Sequence, residues 1–405
     1  MMEFARELRN PMARLARVEV FSPEEVAVVH VMNRVVRRCF LLGDDPVTGK
    51  NYDHRKDWIE NLLRHFSASF GIDLLGFAIL SNHFHLILRS RPDVVATWND
   101  DEVARRWLNL CPVRKTPDGL PAEPNEAEIN SIRNHPQKLA TVRSRLSDIG
   151  WWMRLLCQQV ATRANKDDQE TGKFFQSRYK AVRLLDEQAL LACAAYVDLN
   201  PIRAAMAETL ETSDYTSAQR RIQAVQAVAG CPLSVAREGQ SRSVSAASTK
   251  GNELTRKSSR SAEEKKQIAV AALVCPDGFL SPVALEERTR KPGPAPSRTG
   301  LRCSDKGFLP ISEGDYLALV DWTSRHLAKG KRGATPKKLR PLFERLSLDP
   351  KLWCQLVGSF GKLFSNVAGL PETIEATTSR LAHKRYYVRS AARTLFSPPG
   401  APSRV

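Results

Sequence analysis

The sequence predicts an α+β or α/β domain built on one central sheet over about the first 220 residues, then a basic linker, then a small all-α domain. Three observations predict it. Segments with strand and helix periodicity alternate up to about residue 220. Ser, Ala, Lys and Arg, later Pro and Gly, dominate from about 232 to 300. Beyond 308, apolar residues recur at three-and-four spacing behind plausible caps.

The Val-rich run 18–35 contains a first strand around 27–34. Asp53 caps a helix in which Trp58, Ile59, Leu62, Phe66 and Phe70 fall at helical spacing, and Gly71 ends it. "DLLGFAIL" and "FHLILRS" read as one kinked strand or a strand pair around Ser81 and Asn82. A polar, proline-containing insert follows at about 97–130, with one short helix at "DDEVARRWLNL". Residues 136–165 read as a long helix interrupted near Gly150. "KFFQSRYKAVRLL" (173–185) reads as a strand, and "DEQALLACAAYVDL" (186–199) as a helix capped by Asp186. The order of the strands is not readable. In the linker, 226–305, only 262–275 has room for a short helix. The last domain, 306–397, holds the helical runs "SEGDYLALVDWTSRHLA", "TPKKLRPLFERL", "DPKLWCQLVGSFGKLF" and "ETIEATTSRLAHKRYYVRSAARTLF".

Lys and Arg number 61 against 44 Asp and Glu, a formal net charge of +17. Clustered cations gain affinity by displacing counterions from phosphates, so a polyanion is the expected partner and nucleic acid the first choice. Ribosomal or membrane-surface binding would give the same bias. The eight cysteines are scattered, with no CxxC pair and no secretory leader, which leads us to expect reduced thiols in a cytoplasmic protein. No apolar segment approaches the length of a membrane span, and no membrane partner is expected.

The chemistry begins at "GFAILSNHFHLILRS" (76–90). On a strand, His83 and His85 share one face while Phe84, Leu86 and Leu88 take the other. Two imidazoles about 7 Å apart at their base can converge on one divalent cation. An H-x-H pair alone is a weak motif, and the third ligand has to come from elsewhere. "CAAYVDLNPIRAAMA" (193–207) offers Tyr196 and Asn200, four apart and on one face if the helix persists; Pro201 disfavours helical geometry at Asn200. A tyrosine packed at a helix surface and an asparagine closing that helix would read the same way.

Together these segments resemble the HUH single-tyrosine transposases, within them the REP-associated tyrosine transposase branch. The matching pieces are "HVMNRVVRRCFLL" (30–42), "GFAILSNHFHLIL" (76–88), "GKFFQSRYKAVRLLDEQALLACAAYVDLNPIRAAMA" (172–207) and "DYTSAQRR" (214–221). The resemblance implies an antiparallel, ferredoxin-like or RRM-like sheet flanked by helices. It also implies metal ligands at His83, His85 and Asn200, a nucleophile at Tyr196, and a hairpin-bearing DNA substrate. Ser81 stands where the family usually has Pro. The insert and the chain beyond 225 lie outside the resemblance.

The residues suit this chemistry in their own right. A divalent cation, Mg²⁺ or Mn²⁺, relieves the charge repulsion that protects a phosphodiester, and a phosphotyrosyl ester keeps the bond energy for rejoining. Metal binding needs neutral imidazoles, so activity should fall below about pH 6. Arg178, Tyr179 and Lys180 would meet DNA by stacking and phosphate contact, and Arg203 could reach the cleaved phosphate. His30 on the first strand reads as a satisfied histidine. A homodimer is compatible with all of this. Rival readings are an HUH replication or relaxase-type endonuclease, which commonly carries a second nearby tyrosine; a non-cleaving protein that recognises palindromic repeats; and a barrel metallohydrolase, for which further His and Asp ligands are lacking.

Overall fold

The computed structural model describes residues 21–22, 24–36, 39–117, 121–229, 275–285, 293–327, 339–345, 349–380 and 386–396. Its centre is a five-stranded sheet in the order β2-β3-β1-β4-β5, formed by β1 (Val28–Arg34), β2 (Ile72–Ile79), β3 (His83–Ser90), β4 (Lys180–Leu184) and β5 (Val367–Ala368). The first four pair antiparallel. β5, a two-residue strand from the C-terminal region, adds in parallel to β4, a pairing that the resemblance did not imply.

β2 and β3 are a strand pair and not one kinked strand: the Leu80 amide donates to the His83 carbonyl at 2.8 Å and closes the turn. α1 (His54–Ser69) starts where expected, but Asp53 does not cap it with its side chain; that carboxylate instead pairs with Lys56 at 2.6 Å. After the short α2 (Pro92–Val95), the insert folds as α3 (Asp100–Leu110) and α4 (Glu126–Arg133), each capped by an asparagine, Asn99 and Asn125. The predicted long helix is two, α5 (Pro136–Leu146) and α6 (Ile149–Asp168). The break falls just before Gly150, whose amide donates to the Asp148 cap at 2.6 Å. α7 (Glu187–Asp198) begins at the Asp186 cap, which accepts from the Ala189 amide at 2.9 Å. α8 (Asn200–Arg203) and α9 (Ser217–Ala229) follow, then α10 (Glu313–Leu327), α11 (Arg340–Arg345), α12 (Pro350–Leu363), α13 (Pro371–Arg380) and α14 (Ser390–Phe396).

Strand alternation divides the buried side chains between two cores. Val29, Val31, Phe77, Phe84, Leu86 and Leu88 face α1 and the helices of the insert. On the other face, Ala78, Ile87 and Leu184 pack against α7 and also against Tyr316, Trp353 and Phe360 of the C-terminal helices. Of the span read as a linker, 230–274 and 286–292 lie outside the described residues, including most of the expected short helix. Residues 293–305, by contrast, are held at the sheet: Ser304 donates its amide and hydroxyl to Asp73 of β2 at 3.1 and 2.8 Å. No helix among the described residues is long and apolar enough to cross a membrane.

Candidate metal and tyrosine site

The register Arg34↔His83 and Met32↔His85 places His30, Met32 and Arg34 of β1 on the same sheet face as His83 and His85. His83 Nδ1 lies 2.6 Å from Asn82 Oδ1. An amide oxygen only accepts, so the imidazole proton sits on Nδ1 and Nε2 keeps its lone pair. His85 is orientated by His30, whose Nε2 lies 2.9 Å from His85 Nδ1 in a stacked pair with 5.1 Å between centroids. His85 Nε2 is buried and meets no hydrogen-bond partner among the described residues. Second atoms thus fix both rings and leave both Nε2 atoms for other use.

α7 lays Tyr196 across this pair, its ring 5.6 Å from His85 and 6.0 Å from His30, edge-on to both. Its carbonyl accepts from Asn200 Nδ2 at 2.9 Å. The helical run continues through Leu199 in αR geometry, because Pro201 sits in the first turn of α8, where its missing N–H leaves no bond unmade. Tyr196 and Asn200 therefore share a face. Between them, buried Asp198 points away from the site. It accepts from Ser217 Oγ at 2.5 Å, the Ala218 amide at 3.0 Å and the Tyr316 hydroxyl at 2.5 Å, tying α7 to α9 and α10.

The C-terminal helices complete the site. Phe360 of α12 lies 5.5 Å from the Tyr196 ring and 6.2 Å from His30. A Cβ at Gly361 would come within 3.2 Å of the phenol oxygen, so glycine permits the close approach. Arg203, expected at a phosphate, stands 4.9 Å over the Tyr196 ring and donates to the Gly358 carbonyl at 2.7 Å. Tyr179, expected to stack on bases, is 7% exposed and turned into the opposite core. It follows Ala181 in alternation, while exposed Lys180 takes the histidine face and Arg178 lines a cleft beside it.

Burial sets the electrostatics. It pushes His30 and His83 down to about 4, with Arg34 adding to the effect at His83, and takes His85 well below its ordinary value. These imidazoles stay neutral well below the value near 6 expected from an ordinary histidine, so the acid limit expected from the sequence for a cation at this site would move down. Burial also raises the Tyr196 phenol, with Arg203 opposing it, so this phenol is protonated at neutral pH. Folding is linked to the same shifts. Above 6.5 His30 is neutral in both states; between 6.5 and about 4 only the unfolded chain protonates, and stability falls, by roughly 3 kcal/mol for His30 alone. Urea midpoints measured across that window should fall as pH is lowered, and less steeply in His30→Phe than in the parent; equal slopes would contradict the assignment.

Among the described residues no cluster of three or more His, Cys, Asp or Glu could hold a metal. A cation here would rely on the two Nε2 atoms and the Asn200 amide oxygen, and the orphaned His85 Nε2 is consistent with that use. His30 and Phe360 went unassigned to the site in the sequence. His30 shares the strand parity of Arg34, a signal that needs the β1–β3 register to be read; Phe360 carries no local signal.

No family model matches the chain, and no curated protein matches it. It is similar to one solved structure, described as the "Structure of the REP associates tyrosine transposase bound to a REP hairpin". The two share 10% identity over 56% of this chain and 93% of that one, with a TM-score of 0.28. So slight a likeness carries no weight for function, which has to rest on the site's own residues.

Proposed function

We propose that this chain cleaves and rejoins single-stranded DNA through a covalent 5′-phosphotyrosine at Tyr196, as a metal-dependent tyrosine transposase. The observation that carries the reading is the phenol of Tyr196 set edge-on, 5.6 Å between centroids, to a histidine whose buried Nε2 lacks a partner among the described residues. His83, His85 and Asn200 would hold Mg²⁺ or Mn²⁺, which supplies charge neutralisation at the phosphodiester. If His85 gives its Nε2 lone pair, its proton sits on Nδ1 and is donated to His30 Nε2, so His30 sets the tautomer. In the reaction the phenol oxygen forms a bond to phosphorus, the bond to the 3′ oxygen breaks, and the phenolic proton ends, in net terms, on the 3′ hydroxyl. The reverse reaction joins a new 3′ end without ATP.

The deciding experiment incubates the full chain with labelled, hairpin-bearing single-stranded DNA and Mg²⁺ or Mn²⁺, and looks for a covalent adduct on a denaturing gel. Binding with no adduct under either metal would replace this reading by that of a non-cleaving DNA-binding protein.

α12 lies against the phenol, so Phe360 narrows the approach of a phosphodiester to Tyr196. Phe360→Ala, which removes the ring covering Tyr196 and His30, is expected to raise the initial rate of adduct formation while lowering stability by about 3–5 kcal/mol. An unchanged or slower rate in folded variant protein would count against a covering role.

A further inference from the structure

Beside the histidines lies a cleft lined by Met32, Arg34, Gln176, Ser177, Arg178 and Lys180. Its walls are fixed by backbone pairing: the Gln176 amide donates to the Arg34 carbonyl at 2.8 Å, and the Val36 amide to the Phe174 carbonyl at 2.9 Å. Three cations converge there. Met32 pairs with His85 on one side and Lys180 on the other, and Arg34 pairs with His83, so the cleft is one strand across from the metal-binding pair, roughly 5 Å per strand.

Among the described residues nothing compensates the charges in this cleft. Among the described residues no carboxylate lies within 4.0 Å of Arg34, Arg178 or Lys180, although most other buried or half-buried arginines of this chain are paired, Arg55 with Asp167 and Arg220 with Glu60 among them. Arg34 is half-buried, and its Nε is buried without a hydrogen-bond partner among the described residues. An unmatched buried guanidinium N–H costs stability unless a ligand supplies the acceptor. Arg34 also lies close enough to help keep His83 and His85 neutral. A planar guanidinium with two flexible or exposed cations around it suits a phosphate oxygen set better than a single carboxylate.

We propose that this cleft binds a backbone phosphate of the DNA strand next to the one presented to Tyr196, with Arg34 as the positioning residue that sets which phosphodiester reaches the phenol. The inference rests on the proposed function for its choice of ligand, but the site requires only a single-stranded phosphodiester chain. Lys180 and Arg178 screen the phosphate from the exposed side, and Arg34 grips it from within.

The test is equilibrium binding of the full chain to fluorescein-labelled oligothymidylate without divalent metal, over a range of salt concentrations. Each phosphate that the protein no longer neutralises should flatten the plot of log affinity against log salt by about 0.7. Arg34→Gln and the double variant Arg178→Gln with Lys180→Gln should each weaken binding and flatten that slope. Lys50→Gln, exposed and far along the chain from the cleft, should do neither. Both Arg178 and Lys180 are exposed, so the double variant keeps its fold even where Arg34→Gln does not. Parent-like affinity and slope in the double variant, or no binding by the parent protein, would overturn the proposal. A separate adduct assay then distinguishes the two ideas: loss of binding with intact adduct chemistry on long hairpins, or the reverse, assigns the failure to one of them. For positioning by Arg34, the cleavage site on a hairpin substrate should spread over neighbouring phosphates in Arg34→Gln, whereas a merely structural role would lower yield at an unchanged position.

Discussion

Tyr196→Phe is expected to abolish the covalent adduct, by on the order of 10³-fold or more, while leaving DNA binding and folding in place. The variant removes one oxygen and keeps the ring that packs on Phe360 and stands edge-on to His85 and His30. The phenol is partly buried and its ionisation is opposed by burial, so deleting its hydroxyl should move stability by no more than about 1 kcal/mol. An inactive variant is therefore not an unfolded one. His83→Ala is the companion. It removes one Nε2 from the half-buried edge of the site and the ring that stands edge-on to His85 at 5.0 Å, but keeps both partners of the His30–His85 hydrogen bond, and it should lower adduct yield in a way that more Mn²⁺ partly restores. His85→Ala is a poorer control, because it strands the buried His30 Nε2. A Tyr196→Phe adduct as abundant as the parent's would move the nucleophile elsewhere. Tyr215 is a poor substitute on chemical grounds: its hydroxyl donates to Asp57 at 2.8 Å, and burial with that carboxylate raises it well above its ordinary value.

What the sequence disclosed about this site follows the range of the forces involved. Alternation along β3 separated His83 and His85 from Phe84, Leu86 and Leu88 correctly, since that depends only on the pleat. The four-residue spacing of Tyr196 and Asn200 and the Asp186 cap were likewise local, and the chain keeps them. His30 was a different matter. It acts on His85 through the β1–β3 register, and strand order is set by packing between segments that are distant in the chain. Tyr179 shows the same limit: alternation set it opposite Arg178 and Lys180, but only the position of α1 and the insert determines which face is core. The Pro350–Leu363 helix with its Asp349 cap was legible as a helix, and nothing local told that Phe360 and Gly361 would meet Tyr196 about 160 residues away. The two-residue β5 is too short to leave a periodic signal at all.

A loss of stability as large as that of Phe360→Ala is expected at a residue outside the site. Asp73 of β2 is wholly buried and accepts from Arg89 Nε and Nη2 at 2.9 and 2.7 Å, from Arg91 Nη1 at 3.0 Å, and from the Ser304 amide and hydroxyl. Both guanidiniums are buried too, with side-chain exposures of 8% and 1%. Replacing Asp73 by Ala leaves Arg91 with Asp93, the Ser304 hydroxyl and the Pro294 carbonyl, and leaves Arg89, among the described residues, with only the Lys306 and Gly307 carbonyls; it should cost about 3–5 kcal/mol, since a buried charge stripped of its partner cannot regain water. That is a large share of the roughly 5–15 kcal/mol that keeps a domain folded. Asp73→Asn should fall between, because the amide keeps one acceptor oxygen and loses the charge. Asp321→Ala, which breaks an exposed pair with Arg325, should cost less than about 1 kcal/mol and serves as the reference. Urea midpoints of the three variants rank these outcomes, and an Asp73→Ala midpoint beside that of Asp321→Ala would mean that residues 293–305 are held at the sheet by packing alone. The rank matters for the site because Arg89 lies on β3 in the same parity as His83 and His85. The charge that anchors 293–305 therefore also anchors the strand that carries both proposed ligands.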